Sequence, residues 1–521
     1  MGETPFELSR RETLIVVGGL MVGLSLSALD GTIVATALPT IVGELGGLEH
    51  LSWVVTSYLL ASTAATPLFG RLSDLYGRRR LFQVAIVIFI VGSMLAGISQ
   101  TMLQLILTRG LQGIGGGGVM AMCFSIIGDV IPARERGRYM GFFTATFAAA
   151  SVAGPLLGGF FVDELNWRWI FYINLPLGLV ALVVTSSVLR RVPFRRQEHR
   201  IDFIGAALMV AAVSSTMLVA VWGGAEYAWR SGIIIGLASA AVILTVAFIV
   251  QERRVPEPIL PLRLFGNSVA AVCFAISFLL GAVMFGATSF LPLFLQTVTG
   301  ASATNSGLLI VPLMAGLTTA SIITGRRITT TGRYRVYPII GTALCTIGVA
   351  LLSQMDTDTS RWYSSISMAI VGYGVGMTMP TLSLAAQNAV SGRDLGVVTS
   401  ATTFFRSLGG ALGVALFGAV LNARTNADLD RGLPAGTLID RDRLLSSPRE
   451  IEELPPELAG AVIHAIAEGV TAAFVVGVPV VAVAFGLAWL LREVPLRETG
   501  NLTNAVAQSE PGIPLAEPPL H

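Results

Sequence analysis

Apolar runs of about 18–25 residues recur along the whole chain, separated by short polar or glycine-punctuated turns. Each is long enough to cross roughly 30 Å of hydrocarbon. Inside lipid a backbone must satisfy its own hydrogen bonds, so each run has to be a helix. With 53% hydrophobic and 13% charged residues among 521, too little polar surface remains to cover a soluble fold. The sequence therefore predicts an all-α polytopic membrane protein. Its first apolar run starts near Leu14, after Arg10-Arg11, and passes Leu38, too long for a cleaved signal segment.

Fourteen spans fit the pattern, near 14–38, 51–69, 81–99, 103–128, 139–162, 169–189, 203–222, 232–250, 267–295, 305–324, 337–354, 363–386, 397–421 and 467–491. With the N-terminus in the cytoplasm, 24 of the 34 basic residues (all arginine) lie on cytoplasmic segments and 8 on external ones. Shifting the count by one helix would destroy that asymmetry, so both termini are expected in the cytoplasm. Arg109 and Arg406 are left inside spans, as is Asp30.

Gly70-Arg71-Leu72-Ser73-Asp74-Leu75-Tyr76-Gly77-Arg78-Arg79-Arg80 is a basic turn after the second span. A relative, Gly325-Arg326-Arg327 through Gly332-Arg333-Tyr334-Arg335, follows 255 residues on, again after the second span of a six-span group. This duplication implies two six-helix bundles in pseudo-two-fold parallel repeat plus two inserted helices. The expected division is an N-terminal bundle over 1–200, the inserted pair over 201–256, and a C-terminal bundle over 257–497. A long external loop over 422–466 belongs to the last, and 498–521 forms a disordered cytoplasmic tail. Such repeats are the architecture of rocking transporters, with the binding site near the midplane between them.

Cys123, Cys273 and Cys345 lie in separate apolar runs, and the four histidines are scattered, so neither a disulfide framework nor a metal site is expected. No lysine exists to complete a phosphate-binding loop, and no nucleophile elbow occurs, which argues against an ATP-driven pump or a membrane enzyme. No nucleic-acid partner is expected.

Four ordered motifs then carry a resemblance to the major facilitator superfamily, specifically its fourteen-helix drug:proton antiporters. They are Gly70–Arg80; Leu29-Asp30-Gly31-Thr32-Ile33-Val34 with Ala37-Leu38-Pro39; Arg109-Gly110-Leu111-Gln112-Gly113; and Ala153-Gly154-Pro155-Leu156-Leu157-Gly158-Gly159. Trp167 to Pro176 and Glu257 to Leu262 are similar to further hallmarks of the group. The resemblance implies export of amphipathic or hydrophobic compounds, such as drugs, dyes and biocides, by alternating access. It implies no cofactor beyond a proton gradient, a place in the plasma (inner) membrane, and function as a monomer. A dedicated exporter of one endogenous lipid or secondary metabolite fits equally, and a non-transporting sensor is the remaining alternative.

Asp30 is the one carboxylate deep within a span. Placing it there costs a few kcal/mol, and its protonation can follow its hydration from one side to the other. Otherwise it is a bend-forming aspartate bonded to hydroxyls such as Thr32. The resemblance assigns Arg109 to proton coupling beside Asp30; the plain alternative is an arginine satisfied by carbonyls and Gln112. Arg406 is held between coupling and helix packing. Gly154, Pro155, Gly158 and Gly159 form the antiporter motif, which bends or seals its helix, or simply kinks it for packing. As in the family, Asp74 is expected to cap the thirteenth helix near Arg393-Asp394-Leu395, with Gly70, Gly77, Arg78 and Arg138 completing a conformational latch. An adaptable pocket would draw on Trp53, Tyr58, Met120, Phe143, Phe285, Phe290, Gln296, Asn305, Met314, Met377, Gln387, Asn388 and Phe405.

Overall fold

The computed structural model describes residues 10–45, 51–188, 202–224, 226–298, 309–391, 394–432 and 455–496. Asn305, the basic linker over 190–200, the centre of the 422–466 loop and the tail over 498–521 lie outside them. Among the described residues the structure is helical throughout, without strands. In chain order the helices are α1 (Arg10–Leu45), α2 (Leu51–Tyr76), α3 (Arg78–Gly97), α4 (Met102–Val130), α5 (Ala133–Glu164), α6 (Trp169–Tyr172), α7 (Asn174–Val188) and α8 (Phe203–Trp222). They continue as α9 (Gly232–Arg254), α10 (Arg263–Gly266), α11 (Ser268–Thr297), α12 (Val311–Thr331), α13 (Val336–Leu352), α14 (Arg361–Asn388), α15 (Leu395–Gly432) and α16 (Pro456–Trp489).

Local chemistry sets several boundaries. Thr101, Ser231 and Ser360 accept the orphan N–H groups at the starts of α4, α9 and α14, and Asp202 and Asn267 do so for α8 and α11. Gly77 separates α2 from α3 with φ +94°, and Gly332 ends α12 with φ +71°. These are the two repeat-related turns of the sequence, and both need a positive φ, which glycine takes without strain. The sixth expected span breaks at Ile173, between α6 and α7, just ahead of Pro176. Proline's missing N–H and its steric demand on the preceding residue disfavour an unbroken helix there.

Among the described residues, eleven helical segments are long and apolar enough to cross a membrane by length and composition. The repeat-related pair α2 and α12 falls short, because serines, threonines and arginines dilute both; α13 is apolar but has only 17 residues. Around the expected external loop the helices run further than predicted, α15 to Gly432 and α16 from Pro456. Polar pairing joins these extensions: Arg424 meets Asp428 at 3.0 Å and Glu468 at 3.2 Å, and Thr425 donates to the Ala465 carbonyl.

Helices α1 to α7 pack mainly on one another, as do α11 to α16. The two groups meet through α5 against α12 and through α2 against α15. The inserted helix α8 sits at the seam against both α2 and α15, with Trp53 edge-on to Trp222 at 5.0 Å. Helix α9 packs on α8 and leaves a largely exposed apolar surface that includes Val242 and Ile243.

Candidate functional site

The buried polar cluster in the first group of helices is built around Asp30 on α1. Asp30 is fully buried, and its Oδ2 meets Arg109 Nη1 of α4 at 2.6 Å. Gln112, one turn further along α4, bonds both partners: its amide donates to Asp30 Oδ1 at 2.7 Å and its carbonyl accepts from Arg109 Nη1 at 2.7 Å. Asn174, the first residue of α7, donates to Asp30 Oδ1 at 3.3 Å and to Ser93 on α3 at 3.0 Å. Arg109 also donates to the Val54 carbonyl and lies 4.4 Å from the Tyr58 ring centroid. Tyr58 in turn shares a 3.1 Å hydrogen bond with Ser27.

Four helices thus hold one ion pair with a full set of donors. A buried charge is tolerated only on those terms. One acceptor is left over: the side-chain carbonyl of Asn174 is buried without a partner among the described residues. Of the pocket candidates, Tyr58 belongs to this cluster. Gln112 appeared in the sequence only as a structural partner of Arg109, and Asn174 and Ser93 had no assigned role. Asn174 stood within the Trp167–Pro176 motif, which marked it without revealing which carboxylate it faces.

A second cluster lies five residues beyond the second expected span, where α2 and α3 turn. The Asp74 carboxylate accepts the backbone N–H of Val397 at 3.1 Å, in the first turn of α15. Arg78 pairs with Asp74, bonds Ser73, and reaches Asp129 at the end of α4 at 2.6 Å. Burial pushes Asp74 up to about 6 despite the pull of Arg78, and Asp129 adds to the rise. Gly70 lies so close to Ser400 and Gly396 that a methyl group there would collide. Across the matching seam, a Cβ on Gly137 of α5 would come within 3.0 Å of the Gly325 Cα on α12. The repeat-related glycines 70 and 325 therefore each contact the opposite group.

The expected place of Arg138 in this cluster is not what the structure shows. Arg138 is exposed, whereas the buried Arg136 reaches Gln387 at 3.3 Å and the Ile131 carbonyl at 2.8 Å. Positions two apart on a helix point about 200° away from one another, and Arg136 holds the inward one. Ser321 to Thr144 and Arg134 to the Thr329 carbonyl add further bonds at the same end of the seam.

The remaining pocket candidates scatter. Gln387 is spent on Arg136, Thr399 and the Phe124 carbonyl, and Asn388 holds the carbonyls of Val494 and Pro495. Trp53 faces the inserted α8. Met314 and Met377 are buried, Met120 and Phe290 pack against the cores, Gln296 is part-buried, and Phe285 is 37% exposed. Phe143 stands edge-on to Phe124 at 5.6 Å, and Phe405 stacks on Phe274 at 5.4 Å. Arg406 is part-exposed on α15, with its guanidinium 5.7 Å from the Phe124 ring of α4. It lies outside the hydrogen-bonded Asp30 cluster. In the antiporter motif, Gly154 abuts Thr32 and Gly158 abuts Thr36, while Gly159 faces open space. Helix α5 runs through Pro155 without a break.

At the far end of α1, Glu44 accepts from Trp167 Nε1 at 2.7 Å and from Arg168 at 2.5 Å. Those two hydrogen bonds, Arg168's the stronger, hold the Glu44 carboxyl below its ordinary range.

The sequence pattern of the Major Facilitator Superfamily matches residues 20–414. The chain is 43% identical over 417 residues to the multidrug transporter protein MdtP of Bacillus subtilis, covering 80% of this chain and 76% of that one. It is 40% identical over 505 residues to an uncharacterised MFS-type transporter of Mycobacterium tuberculosis, covering 97% and 73%. Among solved structures, the human organic anion transporter MFSD10 superposes with a TM-score of 0.62 over 92% of this chain and 100% of its own. At 15% identity that likeness speaks to the fold alone. With the motifs on helices that meet as described, and with relatives this similar over most of its length, the chain belongs to the Major Facilitator Superfamily and is a multi-pass membrane transporter.

Proposed function

We propose that the protein exports amphipathic or hydrophobic compounds across the plasma membrane in exchange for protons. In this reading fourteen spans are arranged as two six-helix halves around an inserted pair, with both termini cytoplasmic. The observation that carries it is the buried Asp30–Arg109 pair with Gln112 and Asn174 as further donors. Three side-chain donors are directed at the carboxylate. A proton arriving from the external side would break the Arg109 bond and release the guanidinium onto Tyr58 and the Val54 carbonyl. Rotation of the Asn174 amide would then offer its unpartnered oxygen to the new carboxyl O–H. One buried site thus has partners for both protonation states, as a carrier of protons requires.

The latch supplies the other half of the cycle. Contacts by Asp74, Arg136 and Gly137 gather at one end of the seam, the cytoplasmic end in the proposed topology. The conformation is then the one closed to the cytoplasm, and proton release to that side follows when these contacts part. The names of the bacterial relatives support multidrug export as the biological setting.

The decisive experiment is proton movement in proteoliposomes under an imposed pH gradient. A transported dye should release protons from wild-type vesicles, and Asp30→Asn should abolish the release. Dye-driven proton flux that survives Asp30→Asn, or is absent from wild type across a broad compound panel, overturns the proposal.

A further inference from the structure

The charge that the coupling cluster leaves over is Arg406. It lies eleven residues into α15. At about 1.5 Å per residue this puts it roughly 16 Å from the start of that helix, near the middle of a hydrocarbon layer about 30 Å thick. The residue is part-exposed, and its guanidinium faces Phe124 across the seam between the two groups of helices. Among the described residues no carboxylate or other hydrogen-bonding partner meets it. The ring it faces is itself edge-on to another aromatic, Phe143.

Of the three ionisable side chains that the sequence places deep within spans, Asp30 and Arg109 neutralise each other. The seam interior is therefore left with one uncompensated positive charge. A guanidinium inside a membrane is expected to have a partner, and an aromatic face satisfies none of its five donors. A planar oxyanion does, through two parallel N–H bonds. Building on the export reading, we infer that Arg406 selects amphipathic carboxylates, binding the head group while the Phe124 ring it faces takes the adjoining part of the apolar body.

Charge accounting gives this inference a consequence of its own. Exchanging one incoming proton for one outgoing monoanion moves two units of positive charge inward per cycle, whereas exchange for a monocation moves none. Carboxylate export should therefore respond to membrane potential even without a pH gradient, and export of a cation should not.

The test uses the full-length purified protein and two fluorescent probes with the same dansyl-undecyl body, one ending in a carboxylate and the other in a trimethylammonium. Wild type should bind the acid roughly tenfold more tightly than the ammonium, the scale of one charge-assisted pair. Arg406→Gln should remove that preference, and Arg406→Lys, which keeps the charge but loses the two parallel N–H bonds, should keep only part of it, with both variants matching wild type in elution profile and melting temperature. Equal affinity of wild type and Arg406→Gln for the acid overturns the inference. So does displacement of the acid by stoichiometric phosphatidylglycerol, which would make the guanidinium a lipid-headgroup site. Because the measurement is of binding, it is separable from the Asp30→Asn flux experiment. A protein that exchanges protons normally but shows no carboxylate preference sinks this inference and leaves the antiport reading standing.

Discussion

Asp74 and Val397, 323 positions apart, are joined at 3.1 Å, the carboxylate capping the first turn of the helix that begins the opposite wall of the seam. Burial raises that carboxyl to about 6 while the seam is closed. In an opened, hydrated latch it would return toward the ordinary value of about 3.9. The closed state then holds more protons between those two values, so closure gains as pH falls through about 6 and loses as pH rises. Asp129, Glu252, Glu257 and Asp394 are the other carboxylates in or near this site, with Arg71, Arg78, Arg253 and Arg263 as the cations. Spin-label distances across this seam should shorten as pH drops from roughly 7.5 to 5.5, and Asp74→Asn should flatten that response. A pH profile unchanged in Asp74→Asn would mean the carboxyl does not sense closure.

The Asp30–Arg109 pair predicts an asymmetry in stability. Removing one partner strands a buried charge, which typically costs about 3–5 kcal/mol. Arg109→Ala should therefore lower the melting temperature in detergent sharply. Asp30→Asn should cost less, because Gln112 and Asn174 still have an amide oxygen to meet. Combining the two should recover part of the loss. Strict additivity in that double-mutant cycle would show that the pair does not act as a unit.

Much of this was legible in the sequence, because the membrane leaves so few options. Apolar length fixed the helices, and the intramembrane charges Asp30 and Arg109 pointed to each other before any coordinates did. The turns at Gly77 and Gly332, matched by composition, also both proved to carry a positive φ. What periodicity could not supply was facing. Arg136 and Arg138 read identically as cytoplasmic arginines, yet the turn of α5 buries one and exposes the other. Gln387 and Asn388 looked like free polar residues for a pocket, but their partners lie on segments 12 to 263 positions away. Asn174 stayed hidden because its target is on a helix 144 positions earlier.

Contact between Gly137 and Gly325 makes the second seam sensitive to a single methylene. Neither backbone can retreat without moving a whole helix, so Gly137→Leu should hold α5 and α12 apart and bias the protein against closure of this seam. Labelling of a cysteine introduced on the seam face of α12 by a cytoplasmic maleimide should rise several-fold, in line with the loss of a packed two-state interface. Unchanged labelling would show that the glycines touch without governing closure.

Two adjacent glycines of the antiporter motif should part company on substitution. A Cβ on Gly158 would collide with the Thr36 hydroxyl and come within 2.9 Å of the Ile33 carbonyl, whereas one on Gly159 meets nothing within 4 Å. Overpacking a tight contact costs about 1–3 kcal/mol, so Gly158→Ala should be destabilised and should push α5 away from α1, next to Asp30. Gly159→Ala faces only the intrinsic helix term, where replacing glycine by alanine gains up to about 1 kcal/mol. Thermal melting of the two variants in detergent, beside proton flux in vesicles, separates them. Gly159→Ala should melt at or above wild type with normal flux, and Gly158→Ala should fall in both. Equal losses at both positions would mean that the motif works through the flexibility of α5 and not through its contact with α1.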